Sequence, residues 1–253
     1  MVFRPQLPKT TLLTTSTTIS VAPYYWVMFS PTCEPLTFSN AYRYEAWHDV
    51  MRDEIQVLRF NNTWSLVPFH HSMNVVGCQW VYKIKCRVDG NVEGYKACLV
   101  ARGFTQQKDI DYSKTFSPVV KQATIRLVFS TMVSHNWKIH ELDIHNAFLN
   151  GVFAEEVYIK QPPGFVDFAL PSHVCWLHKS LYGLKQAPRA WYTRLSDFLL
   201  FTIFHASKVD TFLFILSVGT DIFYLLVYAD DILLMGSNFE ITLNFAFNCP
   251  HLF

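Results

Sequence analysis

From Tyr42 to Leu58 the apolar residues Trp47, Val50, Met51, Ile55 and Leu58 fall on one helical stripe, and Glu45, Asp49, Arg52 and Asp53 take the rest of the surface. Asn61-Asn62-Thr63 ends this helix, and Trp64-Ser-Leu-Val-Pro68 reads as an edge strand closed by proline. Val75 to Lys85 alternates as a strand, with Val76, Cys78, Trp80, Tyr82 and Ile84 on one side. Asp89-Gly90 predicts a hairpin turn, and Val92 to Arg102 the return strand. Pro118 opens a second helix with the stripe Ile125, Val128, Phe129, Met132 and Val133, which breaks near His135-Asn136. Trp137 to Ile144 alternates as a strand ending in Asp143, and Asn146 to Gly151 reads as a tight helical turn with a glycine stop. Glu156 to Lys160 is a short strand ended by Gln161-Pro-Pro-Gly164. Pro188 starts a helix striped by Trp191, Leu195, Phe198 and Leu199 to about Phe204. The chain then folds back through Thr211–Ser217, Ile222–Tyr228 and Ile232–Gly236. Residues 1–36 carry no period and read as a flexible leader.

The last of these stretches organises the chain. In Phe223 to Met235, two aliphatic and aromatic runs flank the bare pair Asp230-Asp231. Asp is a common turn residue, so one reading is a solvated hairpin turn. Carboxylates next to buried runs are costly unless a cation neutralises them, so the other reading is a divalent-metal site. That site needs a third acid from elsewhere, and Asp143 is the candidate. A carboxylate at the C-terminal end of a strand suits chemistry, and it is equally an ordinary helix-capping arrangement.

Composition narrows the classes. Hydrophobic residues make up 51% and charged residues 16% of the 253, enough for a substantial core and unlike disorder. Net charge is +1, so bulk charge marks no nucleic-acid binder, but its distribution is uneven. Gln79 to Lys121 holds eight Lys and Arg (83, 85, 87, 96, 102, 108, 114, 121) against four acids (89, 93, 109, 111). Lysines on a protruding ribbon suit phosphates, and an ordinary surface hairpin is the other reading. The six cysteines form no C-x-x-C pair, which points to a reduced intracellular compartment. His173-Val-Cys175-Trp-Leu-His178 lacks a fourth zinc partner. Phe212 to Met235 is long enough to span a membrane, but Asp221, Asp230 and Asp231 inside it make it a hairpin.

Seven runs in order then resemble one family. They are Asn74-Val-Val-Gly-Cys-Gln-Trp-Val-Tyr-Lys-Ile-Lys85, Gly103-Phe-Thr-Gln-Gln107, Thr115-Phe-Ser-Pro-Val-Val120, Leu142-Asp-Ile-His-Asn-Ala-Phe-Leu-Asn-Gly151, Gln161-Pro-Pro-Gly-Phe165, Lys179-Ser-Leu-Tyr-Gly-Leu-Lys-Gln-Ala-Pro-Arg-Ala-Trp-Tyr192 and Tyr228-Ala-Asp-Asp231. From about Pro35 to Ser237 the sequence is similar to the reverse transcriptase of copia-type LTR retrotransposons. The resemblance implies an α+β fold of right-hand polymerase type. Its antiparallel palm sheet is packed on helices, with fingers over 37–136, a palm over 137–240, and no thumb. It implies RNA-directed DNA synthesis with two Mg²⁺ ions on Asp143, Asp230 and Asp231, Asp231 less directly, helped by the Ile144 carbonyl. The same resemblance makes Phe148 the gate that excludes a ribose 2′-hydroxyl, with a core phenylalanine as the other reading. Tyr182 and Gly183 would contact the incoming sugar and template, and Lys96 the triphosphate. The partners implied are an RNA or DNA template with its primer and deoxynucleoside triphosphates, and the setting a cytoplasmic virus-like particle or the nucleus. No Asp-Thr/Ser-Gly triad or zinc-knuckle spacing points to protease or integrase parts.

Three departures stand out. Gly94-Tyr-Lys-Ala-Cys98 replaces a run that carries two arginines in the family, Ile203-Phe204 replaces Gly-Phe after the palm helix, and Ala229 stands where valine is commoner. Residues 241–253 match none of the expected continuation and read as an aberrant tail, from a frameshift or mispredicted exon. The expectation is a C-terminally truncated copy. An inactive relic that at most binds nucleic acid through its basic ribbon is the alternative.

Overall fold

The computed structural model describes residues 33–238 except 114, 116–118, 145, 229 and 230, and describes the backbone alone at 143 and 154. The expectations for the leader up to residue 32, for Pro118 and for the tail lie outside the described residues.

A short helix α1 (Phe38–Ala41) leads into α2 (Glu45–Phe60). In α2 the stripe Trp47, Met51, Ile55 and Leu58 is buried, Glu45 sits in the first turn and Arg59 in the last, each charge favourable to the helix dipole. Trp47 meets Tyr82 and Tyr95 edge-on, with centroids 5.2 and 4.8 Å away. The strand from Trp64 forms β1 (Trp64–Pro68) and lies at the edge of its sheet, as its proline requires. Gly77 divides the expected Val75–Lys85 strand into β2 (Val75–Val76) and β3 (Cys78–Cys86), so two separate sheets receive it. β3 and β4 (Val92–Ala101) make a two-stranded ribbon closed at Gly90, where φ is +83°. Buried Cys78, Trp80 and Tyr82 line its inner side, on the alternation expected.

Helix α3 (Gln122–His135) ends at Asn136, which adopts the left-handed conformation. Its buried face is Thr124, Val128 and Met132. Val133, expected in the stripe, is 77% exposed, because the face turns toward Thr124. β5 (Lys138–Asp143) follows, then a 3₁₀ turn (Ala147–Asn150) and β6 (Val152–Ile159), which starts four residues earlier than expected. Gly151 is extended at φ −72° rather than a left-handed stop. A Cβ there would come within 2.8 Å of the Trp191 nitrogen, so the glycine serves close packing. β7 (His173–Lys179) completes a four-stranded sheet of order β1-β7-β6-β2, and α4 (Ala187–Phe201) follows.

The C-terminal strands are β8 (His205–Ala206), β9 (Leu213–Val218), β10 (Asp221–Tyr228) and β11 (Asp231–Gly236). With β5 they form a five-stranded antiparallel sheet of order β5-β11-β10-β9-β8. Phe223, Leu225, Val227, Ile232 and Leu234 face α4 through Trp191, Leu195 and Leu199. The intervening Leu226 and Met235 pack with α3 through Val128 and Met132. Both faces are covered, which is why these strands read as continuous apolar runs. Among the described residues no helix is long and apolar enough to cross a membrane.

Candidate active site

β5 and β11 lie side by side at one end of the five-stranded sheet. Their antiparallel register pairs Gly236 with Lys138 and ends with Asp231 opposite Asp143. Cα atoms of such partners stand about 4.5–5.5 Å apart. On its other side β11 pairs with β10 down to Tyr228 opposite Asp231, so residues 229 and 230 are the two-residue link between them. Two acids distant in the chain are therefore brought together by strand pairing alone. Asp231 is exposed. Asp230 lies outside the described residues, as does the side chain of Asp143. Carboxylate oxygens are hard ligands of the kind that a divalent cation of the Mg²⁺ type prefers. Ile144, 2% exposed, anchors the turn after β5, and its carbonyl accepts the Ala147 N–H at 3.1 Å. A carbonyl oxygen has two lone pairs, so one remains for another partner.

The 3₁₀ turn beyond Ile144 places Phe148 against Tyr182, edge to face, with centroids 4.8 Å apart at 71°. Phe148 is half-buried at the margin of the core under α4. Gly183 adopts φ +87°, and a Cβ on it would run into the Ala101 carbonyl oxygen. Gly103 in turn sits where a Cβ would meet the Gly183 carbonyl oxygen. The Tyr182 carbonyl accepts the Ala101 N–H at 2.8 Å. The Tyr182-Gly183 corner is thus wedged onto the end of the ribbon, and only glycine fits both contacts.

Lys96 is exposed on the ribbon, opposite Lys83 in register. Its charge acts on Glu54, which accepts the Leu99 N–H at 3.3 Å. Burial raises the Glu54 pKa, against the lowering pull of that hydrogen bond and of Lys96.

Several buried polar groups have no sequence period to betray them. Gln106 and Gln186 are buried, and the Gln106 amide donates to Gln186 Oε1 at 3.0 Å. Gln106 Oε1 accepts the Lys185 N–H at 2.8 Å, and Gln186 Nε2 donates to the Asp111 carbonyl at 2.8 Å. Asp210 is buried too, and accepts from the Lys121 N–H at 2.9 Å and the Thr124 hydroxyl at 2.7 Å, so it caps α3 from 86 residues away. Burial works to raise the Asp210 pKa, but hydrogen bonds from Thr124 and the Lys121 and Phe212 amides outweigh it and hold the pKa below the ordinary value. The only hint of the glutamines was that both fall inside recurring runs, Gly103–Gln107 and Lys179–Tyr192.

Comparison with known proteins gives the family. The profile of the family described as reverse transcriptase (RNA-dependent DNA polymerase) matches residues 61–249. The chain is 46% identical over 213 residues to the retrovirus-related Pol polyprotein from transposon RE1 of Arabidopsis thaliana, covering 84% of this chain and 14% of that protein. The corresponding protein from transposon RE2 of the same plant is 46% identical over 215 residues, or 85% of this chain and 15% of its own length. That from transposon TNT 1-94 of Nicotiana tabacum is 36% identical over 217 residues, or 84% and 16%. The chain thus spans a small part of these polyproteins. On this match it belongs to the reverse transcriptase (RNA-dependent DNA polymerase) family, in the form carried by the Pol polyproteins of copia-type transposons.

Proposed function

We propose that this chain carries the fingers and palm of an enzyme for RNA-directed DNA synthesis by two-metal-ion nucleotidyl transfer. The reading rests above all on the register that sets Asp143 opposite Asp231, at the base of the link containing Asp230. Asp143 and Asp230 are the main metal ligands, Asp231 a less direct one, and the Ile144 carbonyl adds an oxygen. When bound, a pair of Mg²⁺ ions supplies charge that lowers the pKa of a primer 3′-hydroxyl and steadies the leaving pyrophosphate.

The chain's own residues bind and select. Phe148 packs T-shaped against Tyr182, and the pair is the wall that leaves no room for a 2′-hydroxyl and so favours deoxynucleotides. Tyr182 and Gly183 meet the incoming sugar and the template. Lys96 meets the triphosphate, and with Lys83 and Lys85 it makes the outer side of the ribbon cationic. The fingers-type region begins at residue 37 and runs to 136, the strands of 152–179 add to its core, and the carboxylates fall within 137–240. The partners are a template with its primer and deoxynucleoside triphosphates.

Primer extension on an RNA template tests the reading. With Mg²⁺ the protein extends a DNA primer, and Asp143→Asn abolishes extension while leaving RNA binding intact. Extension that needs no metal, or that survives Asp143→Asn, sinks the proposal. Salt-sensitive RNA binding without extension by the unsubstituted protein points to the inactive relic instead.

A further inference from the structure

We propose that Gln106 and Gln186 form a buried latch that positions Tyr182 against Phe148 and so sets how strictly the site rejects ribonucleotides; this rests on the polymerase reading above. The two amides are 5% and 3% exposed, at the junction of the ribbon end with the start of α4. Three hydrogen bonds meet at these amides and one more at the Gln186 backbone carbonyl. Gln106 Nε2 donates to Gln186 Oε1, Gln106 Oε1 accepts the Lys185 N–H, Gln186 Nε2 donates to the Asp111 carbonyl, and the Gln186 carbonyl accepts the Ala190 N–H in the first turn of α4.

The segment fixed in this way is Tyr182–Gln186. At one end Gly183 is trapped between Ala101 and Gly103, and at the other the latch holds Lys185 and Gln186. Lys185 Nζ adds a bond to the Gln106 carbonyl at 3.2 Å. Tyr182 stands at the start of this clamped segment and its ring is the surface that Phe148 meets. The bonds of the latch run to Lys185, Asp111, Ala190 and between the two glutamines, so each glutamine acts on Tyr182 through the backbone and is a positioning residue. A buried amide pair is well suited to positioning. Each lost partner leaves an unsatisfied polar group in a water-poor setting, so the pair has one favoured arrangement. A misplacement of about 1 Å in a positioning contact changes rates by up to about a hundredfold, so a looser wall discriminates less well.

Gln106→Ala and Gln106→Glu test the latch, the second keeping shape and the acceptor for Lys185 while losing the donor to Gln186. Two readouts are taken. The first is amide hydrogen exchange at Ala101, whose N–H is bonded to the Tyr182 carbonyl and which neither substitution touches directly. The second is the ratio of kcat/KM for a deoxynucleotide over the matching ribonucleotide. The latch predicts faster exchange at Ala101 in both variants, and a discrimination ratio lowered about tenfold, chiefly through a lower KM for the ribonucleotide. If Gln106→Ala fails to fold, Gln106→Glu carries the test alone. Unchanged exchange at Ala101 overturns the latch whether or not the protein polymerises. Faster exchange with an unchanged ratio in an active protein overturns its role in selection. A protein that never extends a primer but shows faster exchange in the variants upholds the latch and fails the polymerase reading, so the two are told apart.

Discussion

Residue 203 offers a test of the backbone itself. Helix α4 ends at Phe201, Thr202 follows as the cap, and Ile203 then adopts φ +75°. The Phe204 N–H reaches back to the Leu199 carbonyl at 3.1 Å, the bond that closes a left-handed helix terminus. Glycine is the ordinary residue at such a position, and a β-branched side chain there is an outlier. The Ile203 side chain is 64% exposed, so little packing is lost on removing it. Comparing Ile203→Gly with Ile203→Ala isolates the backbone, since both delete the side chain beyond Cβ. A Cβ in this conformation costs about 1–2 kcal/mol. Against that, glycine loses about 0.5–1 kcal/mol more conformational entropy on folding. The glycine variant is therefore more stable than the alanine variant by about 0.5–1 kcal/mol. Within a helix the order is reversed, alanine leading by about 1 kcal/mol. Denaturant titration with an unchanged slope measures the difference as a shift in midpoint. An alanine variant equal to or more stable than the glycine one would refute the left-handed assignment.

Other outcomes follow from the same geometry. Gly183→Ala, forced against the Ala101 carbonyl in a left-handed conformation, costs about 2–5 kcal/mol by denaturant titration, from strain and overpacking together. Asp210→Asn costs about 1–3 kcal/mol at neutral pH by leaving donors poorly met. Because the folded Asp210 pKa lies below the ordinary one, its contribution is complete above the ordinary Asp value and fades as pH falls through the folded one, so the gap between wild type and variant narrows in acid. A gap that stays constant down through that range would contradict the hydrogen-bonding account. Burial pushes the thiols of Cys78 and Cys175 up to about 11 and about 12, whereas Cys86 is exposed. At a pH of about 8, near the ordinary thiol pKa, a thiol reagent followed by peptide mapping labels Cys86 in the native protein and reaches Cys78 and Cys175 only after unfolding.

What the sequence showed and hid follows from where each signal lives. The stripes of α2 and α4 were legible because each helix buries one narrow face, Trp47 to Leu58 and Trp191 to Leu199. The hairpin at Gly90 was legible because a left-handed turn asks for a residue that accepts it. Strands β10 and β11 were found as runs, yet their lack of alternation reflects two covered faces. Val133 lies outside the buried face because α3 turns its small Thr124 side inward to receive Asp210, a contact that no local pattern encodes. The break at Gly77 was invisible because the alternation runs straight through it, while the pairing changes from β6 to β4. In the candidate site, the acids were singled out as unusual residues, and Phe148 and Tyr182 through the resemblance. Their supports, Gln106 and Gln186, are polar residues whose burial arises only when the ribbon meets α4.

Above all, the polymerase reading requires that the end of β5 and the β10–β11 link share one metal site. Replacing Mg²⁺ by Fe²⁺ and generating hydroxyl radicals with ascorbate and peroxide cuts the backbone next to the bound ion. A shared site gives two cuts, one near Asp143 and one near Asp230–Asp231, both suppressed by excess Mg²⁺ and both lost in Asp143→Asn. A cut at only one of these places, or cuts that persist in that variant, would show that the two strand ends hold no common ion.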